Sequence, residues 1–314
     1  MSGPVTGADD APLAVTDEPT APCVELSDSR EAQVGRFRVR RALPRRGRRT
    51  VGAWCFADHM GPADVTERSG LDIGAHPHTG LQTVTWLVEG EVLHRDSLGS
   101  EQVIAPGQLN LMTAGHGVSH SEEATGHYRG GLEGIQLWIA QPSGTRGAAA
   151  DFEHHADLPQ VELDRSVATV LIGELAGATS PARSDTPLVG ADLDLQPGVT
   201  SLPLRPDWEY AVVVLRGAVG LDDSPVGPGR LAYLGTGRDE LVLDAAEMTR
   251  AVLLGGEPLH EQIVMWWNFV GRSREEISAA YDAWQAQDDR FGRVRSALPR
   301  IPAPPPYSAA AGRD

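Results

Sequence analysis

Two stretches of this chain lie over each other without a gap. Pro106-Gly-Gln-Leu-Asn-Leu-Met-Thr-Ala-Gly115 matches Pro228-Gly-Arg-Leu-Ala-Tyr-Leu-Gly-Thr-Gly237, and upstream Trp86-Leu-Val-Glu-Gly-Glu-Val92 matches Val213-Val-Leu-Arg-Gly-Ala-Val219 with a slightly shorter loop between. Self-similarity of this kind means one unit built twice. Inside the first copy, short apolar runs are broken by Gly and Pro. They predict strands over 50–57, 81–88, 92–95, 102–104, 109–112 and 134–140 and hence an all-β sandwich or barrel. The chain reads as a duplicated β-domain, with 144–150 as a linker or exposed loop.

The copies differ in their histidines. His76 and His78 are two residues apart, as are His120 and Glu122, and alternate side chains of an extended strand share a face. Three neutral imidazoles and one carboxylate converging on a point suit a borderline divalent transition ion with coordination positions left open for chemistry. Gln82, four residues after His78, stands where a carboxylate would be an alternative fourth ligand; an amide is a poor ligand, so the charge is assigned to Glu122. Carried across at the repeat offsets, His76 and His78 fall on Pro203 and Arg205, and His120 and Glu122 on Val242 and Asp244. The second copy is expected to keep the fold without the metal.

The net charge of −16 argues against direct binding to nucleic acid or an anionic membrane. All basic residues are Arg, which excludes Schiff-base chemistry on Lys. Cys23 and Cys55 are too few for a disulfide framework; with an acidic N-terminus and no long apolar run, they predict a cytoplasmic protein. Cys55 is expected to be a small buried hydrophobe. Residues 1–35 read as a flexible lead-in, 36–145 as the metal-binding domain, 146–292 as the second domain with a helix, and 293–314 as a Pro-rich tail, polyproline-like or disordered. Arg36, Arg38 and Arg40 alternate with Phe37 and Val39, which predicts a solvated edge strand. Ser273-Arg-Glu-Glu276 is a capping box, and Ile277, Tyr281 and Trp284 form a stripe that packs on its own domain. Trp266, Trp267 and Phe269 are expected in an inter-domain core. His94 either lines a pocket near the site or faces solvent. His154 and His155 point opposite ways and share no metal, and His127 and His260 have no supporting context.

Arg41-Ala-Leu-Pro44, Phe56-Ala-Asp-His-Met-Gly-Pro62, His76-Pro-His-Thr-Gly80, Pro106-Gly107, Met112-Thr-Ala-Gly115, His120-Ser-Glu122 and Gly256-Glu-Pro-Leu259 together resemble the pirin family, over about Arg36 to Arg293. The resemblance implies a bicupin, two cupin-type β-barrels in tandem with a short C-terminal helix and a metal in the first barrel only. It implies His76, His78, His120 and Glu122 as ligands of Fe(II), with Ni, Co, Mn, Cu or Zn as other ions such sites accept. Gln82 departs from the Glu often seen at its position. Bacterial relatives are associated with quercetin 2,3-dioxygenase activity and animal relatives with transcriptional co-regulation. Two functions follow: oxygen-dependent ring cleavage of a small aromatic flavonol, with Glu122 as catalytic base, or a metal- or redox-responsive regulator that binds a partner protein. Around the site, His116 is the candidate proton shuttle, and Gln82, Thr113 and His59 are candidate hydrogen-bond partners.

Overall fold

The computed structural model describes residues 24–222 and 224–306. Period-two patterning is the force behind it. In the strand Gly130–Ala140, Ile135, Leu137 and Ile139 point one way and Gln136 and Trp138 the other. Strands of this kind form a seven-stranded antiparallel sheet in the order Asp151–His155, Leu109–Thr113, Leu81–Glu89, Gly130–Ala140, Trp54–Val65, Phe37–Leu43, Arg30–Val34. A four-stranded sheet, Ile73–His78, Val118–Glu123, Val92–Asp96, Glu101–Ile104, closes it into a barrel. The second half repeats the order strand for strand: Glu25–Asp28, Arg230–Gly235, Glu209–Arg216, Thr249–Gly256, Leu188–Leu195, Ser166–Leu175, Gln160–Leu163, facing Gly198–Pro203, Glu240–Ala245, Val219–Leu221, Ser224–Val226. The expected all-β duplication is present. No helix among the described residues is long and apolar enough to cross a membrane.

The two large sheets face each other across one shared core that includes Trp54, Trp86, Leu137, Leu171, Val213 and Leu254. The indole Nε1 of Trp54 reaches across it to the carbonyls of Val189 and Gly255, 3.1 Å from each. The barrel interiors differ. That of the second barrel is a single apolar cluster. That of the first contains two clusters and a set of buried polar side chains that includes His76, His78, His94, Asp96, His120 and Glu122.

Several expectations change. Within the lead-in, whose residues 1–23 lie outside the described residues, Glu25–Asp28 pairs with Arg230–Gly235 of the second barrel, and Arg30–Val34 pairs with Phe37–Leu43. The Arg-rich strand is therefore interior to its sheet, and Arg41 is fully buried. Beyond the 145 boundary, Asp151–His155 pairs back onto Leu109–Thr113 of the first barrel. Each barrel thus receives its last strand from the segment that leads into the other. Cys23 and residues 307–314 lie outside the described residues, while Cys55 is buried as expected.

The helix Arg274–Gln285 starts at Ser273, whose hydroxyl accepts the Glu276 amide, and buries Ile277, Ala280 and Trp284. The Glu276 carboxylate accepts from the Arg272 amide instead of closing the box on Ser273. Trp267 and Phe269 are buried in the helix's own cluster and not between the barrels; Trp266 is half-buried beside it. The Pro-rich tail through 306 is docked. Proline-rich backbone offers carbonyls with few N–H donors, and the indoles of Trp284 and Trp266 donate to Ile301 O and Pro304 O. Ile301 N in turn donates to Ala75 O, so the tail lies along the outer edge of the small sheet of the first barrel.

Candidate metal centre

The strands Ile73–His78 and Val118–Glu123 run antiparallel with His120 opposite His76 and Val118 opposite His78, followed by a bulge before the Glu122–Ile73 pair. Gly74 lies at this bulge and its carbonyl accepts from His76 Nδ1 at 2.9 Å, leaving Nε2 free to coordinate an ion. His76, His78 and His120 are buried, and one ligand nitrogen from each lies within 4.8 Å of the others. His78 Nε2 and His120 Nε2 are 3.1 Å apart, the spacing of neighbouring ligands on one ion with bonds of about 2.1 Å. Burial pushes His76 down to about 3 and holds His78 and His120 well below the ordinary imidazole value. Three neutral imidazoles aimed at one point fit a divalent ion.

Glu122 stands outside this tight trio but lines the same cavity, and burial raises its carboxyl above the usual range. The cavity holds about 30 Å3. Phe56 and Trp138, stacked at 3.9 Å, wall it together with Val34, Val39, Met60 and Ile73. Asp58 also lines it, gripped bidentately by Arg41 at 2.7 and 2.6 Å.

The residues expected around the site are elsewhere. Gln82 faces the second barrel, donating to Thr113 Oγ1 at 3.0 Å and to the Arg183 carbonyl. His59 is buried and meets Glu133 at 2.9 Å, which in turn pairs with Arg216 of the second barrel. His116 is exposed, with its carbonyl taken by Arg290. The cause is parity: Gln82, Thr113 and His59 occupy the alternate positions whose side chains leave the barrel interior. Asp58, Gln136, Trp138, His94 and Asp96 occupy the inward ones. His94 neither lines the cavity nor faces solvent; it packs behind His120 with ring centroids 5.1 Å apart.

The same parity corrects the repeat mapping. Val219, the counterpart of Val92, pairs with Ala245, and Leu241 pairs with Leu202. Counting inward from these pairs, the second-barrel counterparts of His76, His78, His120 and Glu122 are Leu202, Leu204, Leu241 and Leu243, all in its apolar core. The gap-free offsets were one residue out, which is enough to exchange faces. Pro203 and Arg205 instead line an open groove of about 760 Å3 at the barrel's rim, and Val242 and Asp244 face outward. A wide groove is thus present in the barrel without the histidines.

Two family models match the chain: Pirin over residues 36–139 and the Pirin C-terminal cupin domain over 190–292. A Pseudomonas aeruginosa protein named "Putative quercetin 2,3-dioxygenase" is 48% identical over 280 residues, covering 88% of this chain and 89% of its own. A crystal structure of quercetin 2,3-dioxygenase from Acinetobacter baumannii superposes with a TM-score of 0.87 at 43% identity, over 90% of this chain and 95% of that one. The bacterial pirin YhhW from Escherichia coli, in complex with nickel(II), shares the fold at a TM-score of 0.60 and 16% identity, over 76% of this chain and all of that one (100%).

Proposed function

Because the chain belongs to the pirin family, we propose that it is an Fe(II)-dependent dioxygenase acting on a flavonol-type, quercetin-like substrate, with the ion held by His76, His78, His120 and Glu122. The observation that carries this reading is the convergence of three buried, neutral imidazoles beside a cavity that Glu122 also lines. Likeness to proteins named for quercetin dioxygenase supports the substrate class. When bound, Fe(II) would supply an open position for oxygen and a positive charge that favours a flavonolate-type anion. Glu122, turned off the ion, would take the substrate hydroxyl proton, and the stacked Phe56 and Trp138 offer a flat aromatic wall. Asp58, neutralised by Arg41, adds no free charge. The free thiol of Cys55 accords with a reducing cytoplasm.

A cavity of about 30 Å3 holds water and not a flavonol, whose sites run to hundreds of Å3. Substrate entry therefore requires the wall to part; of the two wall residues on edge strands, Ile73 lies on the strand that the tail covers, which leaves Val34 on Arg30–Val34. The same closure favours a second reading, in which ion occupancy or redox state alters the affinity of the first barrel for a partner protein and no substrate enters.

Protein purified without an affinity tag, analysed for metal and then assayed for oxygen uptake with quercetin, separates the two. Near-stoichiometric iron with turnover that a chelator and His78→Ala both abolish is expected. Turnover that survives His78→Ala overturns the dioxygenase reading. Bound metal without turnover moves the weight to regulation, for which metal-dependent retention of a partner is the readout.

A further inference from the structure

We propose that His94 and Asp96 are positioning residues of the metal centre, which fix the proton of His120 on Nδ1 so that its Nε2 lone pair faces His76 and His78. The inference rests on the site reading above and goes beyond it to two residues outside the ligand set.

The three groups form a chain of contacts. His120 Nδ1 is 3.3 Å from His94 Nδ1, and His94 Nε2 is 3.1 Å from Asp96 Oδ2. The other oxygen, Asp96 Oδ1, accepts the backbone amides of Leu98 at 2.9 Å and Ser100 at 3.0 Å in the turn that joins Val92–Asp96 to Glu101–Ile104. That turn sets the direction of the whole chain. A carboxylate already accepting two amides is an acceptor at its second oxygen too, so His94 Nε2 carries the proton. With one proton on the ring, at Nε2, His94 has a lone pair at Nδ1, which accepts from His120 Nδ1–H, and the remaining His120 nitrogen, Nε2, is left bare. It is this nitrogen that stands 3.1 Å from His78 Nε2. Reverse polarity would place a hydrogen on His120 Nε2, where it would block coordination.

The arrangement is rigid. Asp96 is opposite His120 and His94 opposite Glu122 in the strand pairing, so all four side chains share the inward face. The ring of Phe152 stacks on His94 at 4.5 Å and 14°. Asp96 is fully buried and His94 nearly so. His76 takes its orientation from a backbone carbonyl, whereas His120 takes it from side chains and is open to test by substitution. A carboxylate or second imidazole behind a ligating histidine fixes tautomer and ring angle, and removing such support costs roughly 10–100-fold in metal affinity.

Asp96→Asn is the decisive variant. The two turn amides hold the Asn carbonyl, so its NH2 group faces His94 Nε2 and forces that nitrogen to accept. The proton on His94 moves to Nδ1 and the one on His120 to Nε2. Long-range 1H–15N correlation spectra of the metal-free protein read the His120 tautomer directly, and Co(II) titration followed by visible absorption and chelator competition reads affinity and coordination. The expected result is Nδ1–H on His120 in the wild type, Nε2–H in Asp96→Asn, and Co(II) affinity weakened roughly 10–100-fold with circular dichroism unchanged. His94→Phe, which keeps the stacking on Phe152 but removes the acceptor, weakens Co(II) to a similar degree, and His94→Asn, whose carbonyl reaches the place of Nδ1, recovers most of the loss. An unchanged tautomer and affinity in Asp96→Asn, or equal affinities for His94→Phe and His94→Asn, overturns the inference. So does a wild type that takes up no ion. A wild type that binds Co(II) in this way yet, loaded with iron, turns over no flavonol overturns only the dioxygenase reading.

Discussion

Trp54 is the side chain that most directly joins the two barrels: fully buried, it donates from one nitrogen to two carbonyls of the other half, and Gly190 leaves room for its ring, since a Cβ there would come within 2.8 Å of it. Trp54→Phe removes the donor that both carbonyls share and opens a small void. We expect a loss of roughly 2–3 kcal/mol, read as a lower urea midpoint at unchanged slope; a loss below about 0.5 kcal/mol would mean that water satisfies those carbonyls. Single residues also divide what could be read from the sequence from what could not. His76, His78 and His120 were legible because ligand chemistry demands those donors at alternate positions. Gln82, Thr113 and His59 misled because nearness in sequence says nothing of which face a strand residue takes. His94 and Asp96 share the spacing of the candidate ligands themselves, and that i, i+2 pairing was the signal available for them.

Among the elements, the docked tail has the clearest consequence for the site. A Cβ on Gly74 would sit 1.9 Å from the Pro299 carbonyl oxygen, so only glycine lets the tail lie against the strand that carries His76 and His78. Gly74→Ala should lift the segment from about 293 to 306 away from that edge. In wild-type protein Arg300 stacks on Trp284 at 3.5 Å; tryptic cleavage after Arg300 should rise by about tenfold or more in Gly74→Ala, as cleavage follows local opening. Equal cleavage in both would show that the tail is held elsewhere. The helix was legible from its cap and its stripe, both local properties of sequence. The tail was not, because a proline-rich run advertises only its missing donors, and the donors that complete it, Trp266 and Trp284, come earlier in the chain.

At the scale of the whole molecule, the repeat announced two barrels but not the exchange of strands between them. The exchanged strands carry no repeat signature, and Glu25–Asp28 is polar and largely exposed, so composition marked it as lead-in. Deleting residues 1–29 should leave the first barrel's metal binding intact and uncover the edge of Arg230–Gly235. Hydrogen exchange at Leu231 and Tyr233 would then quicken, while amides in Val118–Glu123 keep their protection; loss of protection in both barrels would mean that they unfold as one unit.

The exchange also sets an order in time. Asp28 and its partner Arg230 are 202 residues apart, so at ordinary translation speeds the first strand to leave the ribosome waits roughly 10–40 s for its neighbour. His154, by contrast, meets Asn110 only 44 residues after it was made. The barrel that carries the histidines has every one of its strands while the other is still being synthesised, and the tail that clamps it arrives last.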